Sequence, residues 1–253
     1  MSELLLCAKH LTKRFGGLAA VNDVSVDLHR GRIHAVIGPN GAGKSTLTNL
    51  LSGDLPPTSG QIDLNGQSIT GRSPERIARQ GLGRSYQKTN IFLPFTVWEN
   101  VRLAAQSRER HAAFNPLHWF SAAGKLSAVN QRCERALELA GLTARANTVA
   151  AAISHGEQRQ LEIAMTLATE PTVLLLDEPL AGMGAAEAES MVALLQRLKA
   201  EHAIMLVEHD MDAVFALAEV LTVMVNGQVI ASGTPVEIRN DSGVQAAYLG
   251  EEH

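Results

Sequence analysis

The residues best able to do chemistry stand at 38–46, where Gly38-Pro39-Asn40-Gly41-Ala42-Gly43-Lys44-Ser45-Thr46 fits the pattern G-x-x-x-x-G-K-[ST]. Glycines at this spacing let backbone N–H groups turn inward around a phosphate. A following helix adds its positive end, and the lysine reaches the outer phosphate oxygens. Ser45 is then the expected Mg²⁺ ligand. Far along the chain, Val173-Leu174-Leu175-Leu176 runs into Asp177-Glu178. Four apolar residues bury a strand and leave adjacent carboxylates at its end. The first is suited to holding a metal through water, the second to polarising an attacking water.

Such groups need strands to aim them. Three short apolar runs, at 33–38, 172–179 and 203–210, end in Gly or acidic residues and are followed by helical patterns. They read as strands covered on both faces of a parallel sheet, with chemistry at their carboxyl ends. Alternating apolar residues between Leu4 and Leu28 instead predict half-buried antiparallel strands. Asn65-Gly66 and Asn226-Gly227, each between apolar runs, predict tight hairpins, because both central residues must take positive φ. From about 90 to 168 strand signals vanish. Cys133, Ala136, Leu137 and Ala140 fall at helical spacing before Gly141, while Ser107 to Lys125 reads as rich in loops. The fold class expected is α/β, a P-loop NTPase (RecA-like) core with an N-terminal antiparallel β subdomain and an inserted α-helical subdomain. One domain over 1–253 is expected, with the core and β subdomain in 1–89 and 169–253 and the helical part in 90–168.

Composition narrows the function further. The 253 residues are 45% hydrophobic, enough for a sizeable core, and the net charge of −4 argues against a general nucleic-acid binder. The longest apolar run, Ala213 to Ala218, falls far short of the roughly 20 residues of a membrane span. The LLLCA run after Glu3 lacks the length and flanks of a secretory signal, so a cytosolic location is expected. Cys7 and Cys133 form no paired-thiol or zinc pattern and read as reduced structural thiols.

The motif at 38–46, Gln87 after a strand, SHGEQ at 154–158, the pair Asp177-Glu178 and His209 after a strand occur in an order that resembles the ATP-binding subunit of ABC transporters. The resemblance covers essentially the whole chain. It implies that ATP and Mg²⁺ are bound, with Phe15 stacking on adenine. Gln87 would contact Mg²⁺ and the attacking water, and Asp177 and Ser45 would serve the metal. Ser154 and Gly156 would bind the γ-phosphate of ATP held by a second subunit. Glu178 would be the general base and His209 the switch histidine. Simpler readings stand beside these: an ordinary apolar Phe15, a solvated Gln87, a solvent-facing His209, and a capping box of Ser154 with Glu157. Two departures are visible. His155 stands where the signature usually has glycine, and Gly184 where an acidic or amide residue is usual.

The AGMG stretch at 181–184, the length of the Gln87–Ser154 interval and the closing AAYLGE at 246–251 look like the subgroup that imports branched-chain and other hydrophobic amino acids. A urea or short-chain amide importer is the alternative, towards which the histidine of SHGEQ leans. The partners implied are a second copy or another ABC ATPase, two integral-membrane permeases and, indirectly, an extracytoplasmic solute-binding protein, with no nucleic acid. The implied location is peripheral, on the cytoplasmic face of the inner membrane. The segment 88–99, with Ile91, Phe92, Leu93, Phe95 and Trp98, is expected either to receive a short permease helix or to pack the two subdomains together. A nucleic-acid-associated ABC ATPase is the alternative of another class. Those proteins typically carry coiled coils, zinc modules or paired ATPase domains, which this chain lacks.

Overall fold

The computed structural model describes residues 2–86, 90–107 and 122–247, with side chains omitted at 122–126 and 247. Two sheets organise it. β1 (Leu4–Phe15) and β2 (Leu18–His29) pair antiparallel, and β4 (Ser59–Leu64) with β5 (Gln67–Ser68) completes a sheet of order β2-β1-β4-β5. The larger sheet has the order β10-β9-β3-β8-β7-β6. Its strands β3 (Ile33–Ile37), β6 (Leu82–Arg84), β7 (Val173–Asp177), β8 (Ala203–Val207) and β9 (Val220–Val225) run parallel, and β10 (Gln228–Gly233) returns antiparallel at the edge.

The continuous apolar runs are explained by two cores. In β7, Val173 and Leu175 face the core shared with the antiparallel sheet and α1 (Lys44–Ser52), whereas Leu174 and Leu176 face the core shared with the other helices. Strand side chains alternate, so a strand between two cores must be apolar at every position. Both Asn-Gly hairpins form, with φ of 50° and 73° at Asn65-Gly66 and 48° and 79° at Asn226-Gly227.

Between β6 and β7 the described residues form helices: α3 (Val97–Gln106), α4 (Ala122–Ala140) and α5 (His155–Leu167), after the short α2 (Pro74–Arg79) that precedes β6. α4 begins before the helical pattern seen in the sequence, so Ala123-Gly124 lies in a helix where a loop was expected. One glycine costs a helix only about 1 kcal/mol, and Val129, Cys133, Ala136, Leu137 and Ala140 all enter the core along α4. Asn115-Pro116 lies outside the described residues. α6 (Ala185–Leu198) and α7 (Met211–Leu217) follow β7 and β8, and α8 (Pro235–Asn240) and α9 (Ser242–Ala247) end the described chain. Burial pushes both thiols up to about 11, so each is held as the neutral thiol.

Candidate functional site

All five residues of β3 are buried, and the chain leaves the sheet at Gly38 into the turn that starts α1. That turn tolerates no side chain at two points. A Cβ on Gly38 (φ 152°) would stand 2.0 Å from the Met224 carbonyl oxygen, and one on Gly43 (φ 101°) 2.4 Å from that of Ala20. Lys44 opens α1 and folds back, its Nζ donating to the carbonyls of Gly38 (2.6 Å) and Pro39 (3.1 Å). Burial pulls the Lys44 amine below its usual range, opposed by the charges of Glu178 and Asp177. The result is a cavity of about 250 Å³ walled by Ala20, the 40–46 turn, Glu178, Val207 and His209. Asn40, Gly41, Ala42, Ser45 and Thr46 all line it.

Two acids follow one another at the end of β7, of which Glu178 lines the cavity and Asp177 lies behind its lining. Asp177 closes β7 and is buried, and burial raises its carboxyl above the usual value, with Arg84 opposing. Glu178 adopts φ of 50°, a left-handed conformation that costs a non-glycine residue about 1–3 kcal/mol. Its N–H donates to the Val207 carbonyl at 2.8 Å, which anchors it to the end of β8. Its Oε1 lies 2.8 Å from Nε2 of His209.

Glu208 is a site residue that the sequence reading missed. Only 3% exposed, its carboxylate accepts from the N–H of Leu180 (2.8 Å) and of its neighbour His209 (3.0 Å). It therefore ties the turn after Glu178 to the turn that carries the histidine. Burial raises its carboxyl, and the N–H groups of Leu180, His209 and Asp210 oppose that rise. The only local signal was an acid directly following five buried strand residues.

Ser154 and Gly156 stand apart from the cavity. Ser154 caps α5 in the expected box: its Oγ accepts from the Glu157 N–H (3.2 Å) and Glu157 accepts from the Ser154 N–H (2.9 Å). The Ser154 hydroxyl also donates to Glu187 Oε1 at 2.7 Å, and the Gly156 N–H donates to the same oxygen at 3.2 Å. Glu187, on the first turn of α6, is the second residue that the sequence reading missed. His155 is exposed, and its ring occupies space beside Gly182, 3.5 Å from where a Cβ would be. Gly184, the other departure, is the N-cap of α6.

Phe15 is half exposed at the end of β1, outside the lining of the cavity, with the Lys13 ammonium 5.3 Å from its ring centre. Gln87 lies outside the described residues, but both its flanks meet a buried ion pair on α5. Glu162 accepts from the Asn90 N–H (2.8 Å), and Arg159, paired with Glu162 at 2.9 Å, donates to the Tyr86 carbonyl (3.4 Å). Ile91 and Trp98 pack on the helical core, whereas Phe92, Leu93 and Phe95 are exposed, the two phenylalanine rings 5.5 Å apart. Among the described residues no group of three acidic, histidine or cysteine side chains is gathered as a metal site. Nor is any helix there long and apolar enough to cross a membrane.

The family model described as "ABC transporter" matches residues 21–181, and that of the "Branched-chain amino acid ATP-binding cassette transporter" matches 228–253. The high-affinity branched-chain amino acid transport ATP-binding protein LivG of Salmonella typhimurium is 40% identical, over 99% of this chain and 100% of that one. BraF of Pseudomonas aeruginosa, described in the same terms, is 39% identical over the same shares. Among solved structures, the ADP conformation of MJ1267, an ATP-binding cassette of an ABC transporter, is similar with a TM-score of 0.83. It is 29% identical and covers 99% of this chain and 100% of that one.

Proposed function

The chain belongs to the ATP-binding subunits of ABC transporters, and from that premise we propose that it drives uptake of branched-chain and other hydrophobic amino acids through membrane permeases. It is an ATP-hydrolysing subunit, and the observation that carries the chemistry is the convergence of Lys44, Glu178 and His209 on one cavity. The solute class rests on 40% identity across the whole of LivG.

In this reading the N–H groups of residues 40–46 cradle the phosphates of ATP, and Lys44 exchanges its two carbonyl contacts for phosphate oxygens. Glu178 takes a proton from water as the water attacks the γ-phosphorus. The bond to the β–γ bridging oxygen breaks, and ADP and phosphate are released. His209 holds the Glu178 carboxylate in place. Phe15, set beyond the cavity, would stack on adenine, and Gln87 would reach the water and the metal. The donor set suits Mg²⁺: Ser45, a hydroxyl residue, lines the cavity, and Asp177 is a carboxylate whose burial raises its pKa, a state that a hard cation relieves. When bound, Mg²⁺ would neutralise charge on the phosphate oxygens.

Ser154 and Gly156 do not line the cradle of their own chain, which supports a clamp of two subunits holding two ATP molecules between cradle and signature. The second subunit is another copy or a related ATPase. Two permeases and a solute-binding protein outside the membrane complete the assembly, with this subunit peripheral at the inner face. The exposed Phe92, Leu93 and Phe95 are assigned to a short cytoplasmic permease helix.

Glu178→Gln should retain ATP and trap a dimer, and Lys44→Ala should abolish tight nucleotide binding. A monomeric Glu178→Gln protein at saturating ATP would refute the clamp. Uptake of leucine but not urea by the copurified permease complex tests the solute.

A further inference from the structure

The donors assigned to a partner's γ-phosphate already hold an anion from their own chain. The Ser154 hydroxyl and the Gly156 N–H converge on one oxygen of Glu187, at 2.7 and 3.2 Å. They sit at the positive end of the 13-residue helix α5, which favours negative charge. The fit is close: a Cβ on Gly156 would stand 2.7 Å from the carboxyl carbon of Glu187. The second oxygen of Glu187 faces the N–H of Gly184 at 3.4 Å, so the same side chain also serves the start of α6. Ser154, foremost, with Gly156, Gly184 and the nearby His155 holds the Glu187 carboxyl below its usual range, so it is ionised at neutral pH.

We propose that Glu187 is an internal stand-in for phosphate: its carboxylate occupies Ser154 and Gly156 in the lone chain, must leave before a partner's ATP binds them, and so sets the ATP concentration at which two subunits close. The inference rests on the clamp described above. A carboxylate and a phosphate cannot share one hydroxyl proton and one N–H, and each repels the other. Only the fraction of chains with Glu187 swung away is competent, and apparent affinity falls by that fraction. A contact closed for half to nine-tenths of the time lowers it about two- to tenfold. Glu187 lies on the first turn of α6, which follows the segment after Glu178, so its release also gives the signature a way to move that segment.

The test uses the full chain in a Glu178→Gln background and follows dimer mass by light scattering as ATP is titrated. Adding Glu187→Gln removes the charge and keeps a side chain able to cap α6, while Glu187→Ala removes both. Both should lower the ATP concentration for half-maximal dimerisation, by about two- to tenfold. A role confined to capping α6 predicts the reverse for Ala, weaker dimerisation with a lower melting temperature, and that result overturns the proposal. So does an unchanged or raised midpoint for Gln. If Glu178→Gln alone stays monomeric at saturating ATP, the clamp itself falls and the inference with it, an outcome distinct from a dimer whose midpoint ignores residue 187.

Discussion

Glu208→Ala is the sharpest test of how the turns that carry Glu178 and His209 are held. Wild-type Glu208 is buried, and its carboxylate receives the N–H groups of Leu180 and His209 at 2.8 and 3.0 Å. Hydrogen bonds to a charged acceptor contribute about 1.5–3 kcal/mol each, against several kcal/mol for burying the charge. Alanine removes both bonds and the burial cost together but leaves two N–H groups without an acceptor, so a net loss of about 2–4 kcal/mol is expected. For a chain of this size that lowers the melting temperature by roughly 5–15 °C. The larger effect should be kinetic. Glu178 and His209 meet at 2.8 Å across the two turns that Glu208 joins, and a displacement near 1 Å costs about 100-fold in rate. At 20 °C, where the variant is still folded, steady-state assays should show kcat for ATP hydrolysis down 10- to 100-fold, with KM within about twofold. Glu208→Gln keeps one acceptor oxygen and should recover part of the rate. Because burial raises the Glu208 pKa, the folded chain keeps a proton that the unfolded chain has already released. Wild-type stability relative to Glu208→Gln should therefore fall as pH rises from the ordinary glutamate value through the raised one. Full kcat in a folded Glu208→Ala protein would refute the positioning argument.

Two further perturbations probe the cradle and the exposed apolar patch. Gly38→Ala places a methyl 2.0 Å from the Met224 carbonyl at a φ of 152°, so it should abolish nucleotide binding in a fluorescence titration and lower the melting temperature. Normal binding would show that the turn can shift. Phe92→Glu should prevent copurification with the permeases, while a Glu178→Gln/Phe92→Glu protein still dimerises in ATP; loss of both would assign the patch to packing between the subdomains.

What the sequence disclosed was whatever is dictated locally. The phosphate cradle was legible because the turn demands glycine at set positions, and the clash distances at Gly38 and Gly43 give the reason. Strands β3, β7 and β8 were legible because two cores leave no solvated face, and both hairpins because Asn-Gly tolerates positive φ. The first turns of α4 were misread because Gly124 carries a turn signal that the packing of the rest of α4 overrides. Glu208 and Glu187 were invisible for a different reason: their partners Leu180 and Ser154 are 28 and 33 residues away, and nothing in a local pattern says that two turns will be joined.

Those two carboxylates divide the work in an informative way. Glu208 is buried and bonded only to backbone N–H groups, so moving it would leave donors unsatisfied inside the protein; it suits a fixed brace. Glu187 is only partly buried, and its shortest contact, to the Ser154 hydroxyl, is exposed, so water can replace it when the side chain leaves; the bond from the Gly156 N–H is part-buried. A group that must yield to an incoming phosphate has to be of this second kind, because exposed contacts break at small cost whereas buried charge cannot be left unpaired. Under the proposed mechanism, the rigid acid braces the turns that carry Glu178 and His209, and the releasable acid lies at the surface where a second subunit would close.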